Sequence, residues 1–334
     1  MLDISKVNHG TVLIANRIHS RDDMNRFQRN LEFTSDTMFN ALKTALKEIS
    51  SNVVVYTSIT EFIDNISLHK NDIILSTVWS GMDSRNRRIF LPAICESYGL
   101  VFVGADAYVQ ALCTDKVLSK TYCAQYGIPS AKSVTISKAK EYGLLSAISY
   151  PAVVKPNFEG GSIGISDENI VDTAEEARKL ADMLLVEYDV LIVEEYLEGQ
   201  EVSACIVGSE DNIELFEIVK ISLDGEDYFT HRILGYESKK GKRAHQERKI
   251  ITNQGSPHVQ ERLKKAFCGL GKVDFMRIDG RLKNGEFFLI ELTPDCSLHP
   301  DCFMFKAFSH QNYSYKDMIA GLLNQSLTRY NKTI

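Results

Sequence analysis

Apolar residues in the first third of this chain fall in short runs separated by helical stripes. Thr11–Ala15 (TVLIA), Val53–Tyr56, Ile73–Thr77 and Leu100–Val103 have the length and composition of buried strands. Between them, Thr37–Ile49 and Ile89–Tyr98 carry apolar residues at helical spacing. Strand and helix alternating in this way predict a parallel, doubly wound unit over the first hundred or so residues, closed by Gly104.

The pattern then changes. Ala107–Tyr126 reads as one helix, ended sharply by Gly127-Ile128-Pro129. Strand candidates Ser133–Ile136, Ala152–Lys155, Ile163–Ile165 and Asp189–Glu194 surround a helix over Ala174–Leu185. Val202–Val207 and Leu215–Ile221 read as antiparallel partners, and Val259–Gly269 as a helix. Lys272–Ile278 and Glu286–Leu292 predict a hairpin around Lys283-Asn284-Gly285, because Asn-Gly supplies the positive φ of a tight turn. Phe303–Leu327 is helical, and Leu223–Glu247 is polar without a period. The expected class is α/β and α+β, in units 1–106, 107–194 and 195–334.

Composition narrows the function classes. The 334 residues are 44% hydrophobic and 25% charged, enough for a sizeable core without metal or disulfides. A net charge of −6 disfavours a nucleic-acid partner. No apolar run approaches the roughly 20 residues of a membrane span. The polar start (Met1–His9) does not read as a signal peptide. Seven scattered cysteines form no CxxC pair or zinc spacing, which fits a reducing, cytoplasmic setting.

Three segments hold candidate chemistry. After the apolar run Ala152–Val154 come Lys155 and a flexible stretch holding Gly160, Gly161, Ser162 and Gly164. Backbone N–H groups in such a stretch can approach phosphate oxygens, and the lysine adds a compact charge. A glycine turn in a hairpin would account for the same residues. Asp274 and Glu291 sit on the two arms of the predicted hairpin. Facing carboxylates repel unless a cation lies between them, and Mg²⁺ is the usual one near phosphates; two solvent-facing strand acids would account for the same residues. Glu194 and Glu201, in Val193-Glu194-Glu195-Tyr196-Leu197-Glu198-Gly199-Gln200-Glu201, can accept hydrogen bonds from an adenine amino group and ribose hydroxyls, or form a charged surface turn.

In their order and spacing these segments resemble the ATP-grasp superfamily, and within it the D-alanine–D-alanine ligase family, from about Thr11 to about Phe308. Asp115-Lys116, Ser119-Lys120 and Gly127-Ile128-Pro129 match the family's first lysine segment, and Lys155 with Gly160-Gly161-Ser162-Ile163-Gly164 its second. The resemblance implies an ATP-grasp fold behind an N-terminal Rossmann-like domain. It implies ATP phosphates on Lys116, Lys155 and the loop Gly160, Gly161, Ser162 and Gly164. Adenine and ribose fall near Glu194, Glu195, Tyr196, Leu197 and Glu201. Mg²⁺ or Mn²⁺ falls on Asp274, Glu291 and Thr293, and a substrate-binding acid on Glu32. The resemblance also implies a cytoplasmic enzyme, by analogy a homodimer, that forms a dipeptide-like amide from amino-acid substrates through an acyl phosphate.

The chain departs from the family mainly at substrate positions. Gly161 replaces a serine that helps position the catalytic loop and first substrate, leaving Ser162. Lys272 stands for an oxyanion-binding arginine, keeping the charge but not the fork. Thr293 replaces a metal-binding asparagine, and Asp295 occupies a glycine position near the oxyanion. Ser80–Arg88 replaces a histidine- and glycine-containing segment, and Arg85, Arg87 and Arg88 there are candidates for a substrate carboxylate or a solvated turn. Arg232, Tyr236 and Lys239 are candidates for closing over the phosphates. Two options follow, D-alanine–D-alanine ligation itself and ligation of another amino acid, and the departures favour the second. The alternative is a protein that binds ATP without turnover.

Overall fold

The computed structural model describes residues 2–15, 34–78, 85–235 and 245–331. Four short apolar runs form a parallel sheet: β1 (Thr11–Ile14), β2 (Val53–Tyr56), β3 (Ile73–Ser76) and β4 (Val101–Phe102), in the order β2-β1-β3-β4. Helix α1 (Asp36–Ile49) starts at Ser35, whose side chain accepts from Met38 N, a cap typically worth ~1 kcal/mol. Its stripe Phe39, Leu42 and Leu46 packs with Leu13 and Ile73. On the other face of the sheet, Val12, Ile14 and Ile74 meet Phe62 of α2 (Ile59–Asp64) and Leu91 of α3 (Arg87–Ser97).

The helix expected over Ala107–Tyr126 is two, α4 (Ala107–Thr114) and α5 (Lys116–Ala124). Asp115 breaks it: its backbone is extended, and its carboxylate accepts from Val117 N and Leu118 N to cap α5. Beyond it, β5 (Ser133–Ser137), β6 (Ala152–Pro156), β7 (Ile170–Val171) and β8 (Val190–Glu195) form an antiparallel sheet, ordered β5-β8-β6-β7. Ala177, Ala181 and Leu184 of α6 (Ala174–Leu184) pack there with Val154 and Val193. No strand forms at Ile163–Ile165. Gly161, Ser162 and Gly164 have φ of 65°, 63° and 71°, a left-handed path that cannot continue an extended ladder.

The third sheet is antiparallel, in the order β11-β10-β9-β12-β13. Its strands are β9 (Gln200–Gly208), β10 (Ile213–Leu223), β11 (Gln246–Ile250), β12 (Phe275–Lys283) and β13 (Glu286–Pro294). Helix α7 (Pro257–Cys268) covers one face, with Val259, Leu263 and Phe267 against Ala204, Ile206 and Ile278. The expected C-terminal helix is again two, α8 (Phe303–His310) and α9 (Tyr315–Asn331), separated by a turn in which Asn312 has φ 64°. Met304, Phe308, Leu322 and Leu323 of this pair join Val207 and Val219 to Leu13 and Phe39 in one core. Asn324 Nδ2 donates to the carbonyls of Asp3 and Ser5 at 3.0 and 3.1 Å. Each sheet thus comes from one stretch of chain, but the first sheet is packed by the last helices.

Among the described residues no helix is long and apolar enough to cross a membrane. All seven cysteines are free thiols, and all but Cys268 are buried.

Candidate active site

A cleft of about 930 Å³, counted to its open mouth, runs between the second and third sheets. Glu194, at the end of β8, forms its floor. The Glu194 carboxylate is buried between two ammonium groups, ion-paired with Lys155 through Oε1 and with Lys120 at 2.5 Å through Oε2. Burial alone would raise this carboxyl, but the two lysines outweigh it and hold it at about 2. Lys120 lies one helical turn beyond Lys116 on α5. Both ammonium groups are pulled below the ordinary lysine value, chiefly by burial, against the attraction of Glu291 for Lys116 and Glu194 for Lys120.

Lys116 Nζ donates to the backbone carbonyls of Asn157 and Glu159 and lies 3.7 Å from Glu291 Oε2. The glycine-rich loop after Lys155 closes this end of the cleft. Ser162 Oγ donates to Leu234 O at 2.7 Å, and a Cβ on Gly235 would stand 2.9 Å from Ile165 O, so two loops meet here backbone to backbone. At the opposite end Tyr196 and Leu197 line the wall. The Tyr196 hydroxyl donates to Arg232 O at 2.8 Å and accepts from Arg232 N at 2.9 Å. Glu195 also lines the cleft, with its carboxylate accepting from Ser149 N at 3.1 Å. Glu201 pairs at 2.7 Å with Nε of the buried Arg281, whose guanidinium lies over the Phe229 ring.

The carboxylate pair is not the expected one. Strand β12 places Asp279 directly across from Glu291 on β13, and both line the cleft. Asp274 precedes β12, is fully buried, and does not line the cleft. Its Oδ2 accepts from Gly104 N (2.8 Å), Lys272 Nζ (2.8 Å) and Ser326 Oγ (2.6 Å). Lys272, expected in the site, also donates to Phe102 O and Gly104 O at 2.9 and 2.7 Å. It lies over the Phe102 ring, pinning the first sheet to the third instead. Arg277 takes the position expected of Lys272, two residues before the acid in the cleft. Its guanidinium grips Asp279 through Nε (3.0 Å) and Nη2 (2.9 Å). Ser203 Oγ and Thr293 Oγ1 donate to the same carboxylate at 2.5 and 2.8 Å. Burial pushes Asp279 up, but Arg277 and these hydroxyls outweigh it and hold it below the ordinary range.

The reason for the shift lies in the hairpin. Lys272-Val273-Asp274 and Arg277-Ile278-Asp279 repeat one pattern five residues apart. Lys283 pairs with Glu286, and counting back across that turn sets Asp279, not Asp274, near Glu291; a register shift at Asp279/Gly280 completes the match. Turn counting was thus a signal able to separate the two acids.

Other expectations divide. Asp295, at φ 48°, turns away from the cleft: its carboxylate accepts from Ala105 N at 2.8 Å and from the Gln110 amide. Burial pushes it up to about 8, with Lys272 opposing and Asp274 adding. Arg232 pairs outward with Asp224 and Glu226. Arg87 is neither solvated nor in the cleft, but buried against Glu159. Glu32, Tyr236 and Lys239 lie outside the described residues.

A family model described as D-ala D-ala ligase C-terminus matches residues 123–324. The chain belongs to this family. Among relatives of this D-Ala–D-Ala ligase family, a D-alanine–D-alanine ligase of Thermotoga petrophila is 26% identical over 254 residues, covering 75% of this chain and 78% of the relative. The ATP-grasp fold is shared with solved structures. A Bacillus anthracis D-alanine–D-alanine ligase complexed with ATP superposes at a TM-score of 0.71 and 16% identity, over 98% of this chain and all of that one. The VanG D-Ala:D-Ser ligase of Enterococcus faecalis superposes at 0.70 and 19%, over 96% and 100%.

Proposed function

We propose that the protein is an ATP-dependent ligase joining the carboxylate of one amino acid or amino-acid-like molecule to the amine of another. The observation that carries this reading is one cleft lined by the buried cations Lys116 and Lys155 and by a carboxylate pair, Asp279 and Glu291, with Lys120 behind Glu194. Cations suit a nucleotide polyphosphate, and the acids suit the ion that accompanies it. The amino-acid ligase activities in the names of the relatives support the same class.

In this reading ATP lies along the cleft, with its base against Tyr196 and Leu197, its ribose toward Glu201, and its phosphates under Lys116, Lys155 and the loop N–H groups of 160–164. Mg²⁺ fits the donor set, because it takes one or two carboxylates and fills its other positions with water and phosphate oxygens. Glu291 and Asp279 would hold it, with Thr293 steadying Asp279; when bound, it neutralises charge on the transferred phosphoryl group. The donor carboxylate takes the γ-phosphoryl group of ATP and becomes an acyl phosphate. The acceptor amine attacks its carbonyl carbon, the C–O bond to phosphate breaks, the amine loses a proton, and ADP and phosphate leave. Arg277, held in place by Asp279, presents positive charge where the tetrahedral oxyanion develops. The loop meeting Leu234 and Gly235 keeps water from the acyl phosphate. Gly161 and Thr293 support a substrate pair other than two D-alanines.

The test is ADP release with ATP, Mg²⁺ and a panel of D- and L-amino-acid pairs, with products read by mass spectrometry. ADP release matched by an amide product supports the reading. Lys155→Ala and Glu291→Ala should each lower turnover at least roughly 100-fold, as loss of a transition-state charge partner does. Tight ATP binding without ADP release for any pair would leave a nucleotide-binding protein without ligase activity.

A further inference from the structure

We infer that Arg87 is a positioning residue that couples the N-terminal unit to ATP binding: through Glu159 it holds the phosphate loop and, with it, the Lys116 ammonium. The inference rests on the ATP reading of the cleft. Arg87 is the first residue of α3, on the far side of the first sheet from α1. Its Nη2 lies 2.6 Å and its Nη1 3.5 Å from the two Glu159 oxygens, with side chains only 4% and 6% exposed. The backbone carbonyl of the same Glu159 accepts from Lys116 Nζ. Asn157, two residues earlier, donates through Nδ2 to the Asp115 carboxylate that caps α5, at 2.9 Å. Lys116 and the loop therefore share a single mount, and Arg87 grips that mount from outside the ATP-grasp units.

Its neighbours extend the grip. The Arg85 guanidinium lies 5.5 Å from the centre of the Phe158 ring. Arg88 Nη2 lies 3.5 Å from where a Cβ on Gly160 would be. Three arginines of one turn thus address three successive residues at the loop's entrance. The far end of the loop is held by Ser162 Oγ on Leu234 O and by Asn169 Nδ2 on Gly164 O, whereas at its near end a Cβ on Gly161 would meet nothing within 4 Å. A glycine-rich segment loses much freedom when ordered, and holding it before the nucleotide arrives removes that cost from binding. A buried ion pair contributes little net stability against an apolar replacement, but its planar fork fixes orientation.

The decisive variant is the double substitution Arg87→Met with Glu159→Gln in the full-length chain. It removes both buried charges, so the fold keeps its melting temperature while the mount is lost. Binding of ATP with Mg²⁺ is read by calorimetry and, separately, KM for ATP and for the amino acids by ADP release. The expected result is a roughly tenfold rise in Kd and KM for ATP, with amino-acid KM changed much less. Arg87→Lys keeps the charge without the fork and should weaken ATP binding by a smaller factor, which covers the case in which the double variant fails to fold. Wild-type ATP affinity in either folded variant, or an equal rise in every KM, overturns the inference. No ATP binding by the wild-type protein overturns the ATP reading itself, a distinguishable outcome.

Discussion

Asp274 and Asp279 make opposite predictions that can be measured side by side. Asp274→Ala deletes an acceptor of three hydrogen bonds and strands the Lys272 ammonium, 15% exposed, against the carbonyls of Phe102 and Gly104. Breaking one partner of a buried ion pair costs about 3–5 kcal/mol, which for a chain of this size lowers the melting temperature by roughly 4–7 °C. Asp279→Asn keeps the shape and one acceptor for Arg277 but removes the charge opposite Glu291. Its turnover should fall at least roughly 100-fold, with a smaller loss of thermal stability. The assay pairs differential scanning calorimetry with ADP release well below either melting point. Asp274→Ala should turn over within a few-fold of wild type there. A normal melt with lost turnover in Asp274→Ala, or full turnover in Asp279→Asn, would refute the assignment of the cleft acid to Asp279.

Gly161→Ala meets open space and should cost only about 1 kcal/mol, for its φ of 65°. Gly164→Ala adds a Cβ 2.9 Å from Tyr188 Oη and 3.2 Å from Pro156 Cγ and should cost more; chemical denaturation gives both values. The Asp295 carboxyl sits at about 8 in the fold against an ordinary aspartate value of 3.8, so the folded protein holds its proton more tightly than the unfolded chain. Its contribution is complete below about pH 4 and is lost as pH rises through about 8. Asp295→Asn should therefore be more stable than wild type at pH 9 and gain less at pH 5, its amide donating to the unpartnered Gln110 Oε1 once that side chain turns. A pH-independent difference between the two melting curves would count against this.

The cleft was legible where short motifs carry their own geometry. Lys155 and Glu194 each close an apolar run, and in the antiparallel pairing Lys155 faces Ile192 and Glu194 faces Val153, so the two side chains share one face as diagonal neighbours. Lys116 follows an aspartate that starts a helix, which aims its side chain. What escaped the sequence depends on register and long-range packing. Asp274 and Asp279 are equivalent as isolated residues and differ only in which rung of the hairpin they occupy. Asp115 and Asn312 interrupt continuous helical periodicity, because one caps a helix through its carboxylate and the other adopts positive φ. Arg87 fits a substrate carboxylate or a solvated turn in the sequence, and its actual partner Glu159 lies 72 residues away.

The shared core of the first and last elements sets an order for biosynthesis. Nascent chains usually complete their N-terminal units first. Here β1, β3 and α1 emerge early, yet Leu322 and Leu323, which cover them, are made only after both other sheets. Until then the ribosome carries a sheet with one apolar face incompletely covered. The closing contacts span most of the chain, a separation that slows folding. Loss of the final helix would therefore uncover the first domain as well as the last.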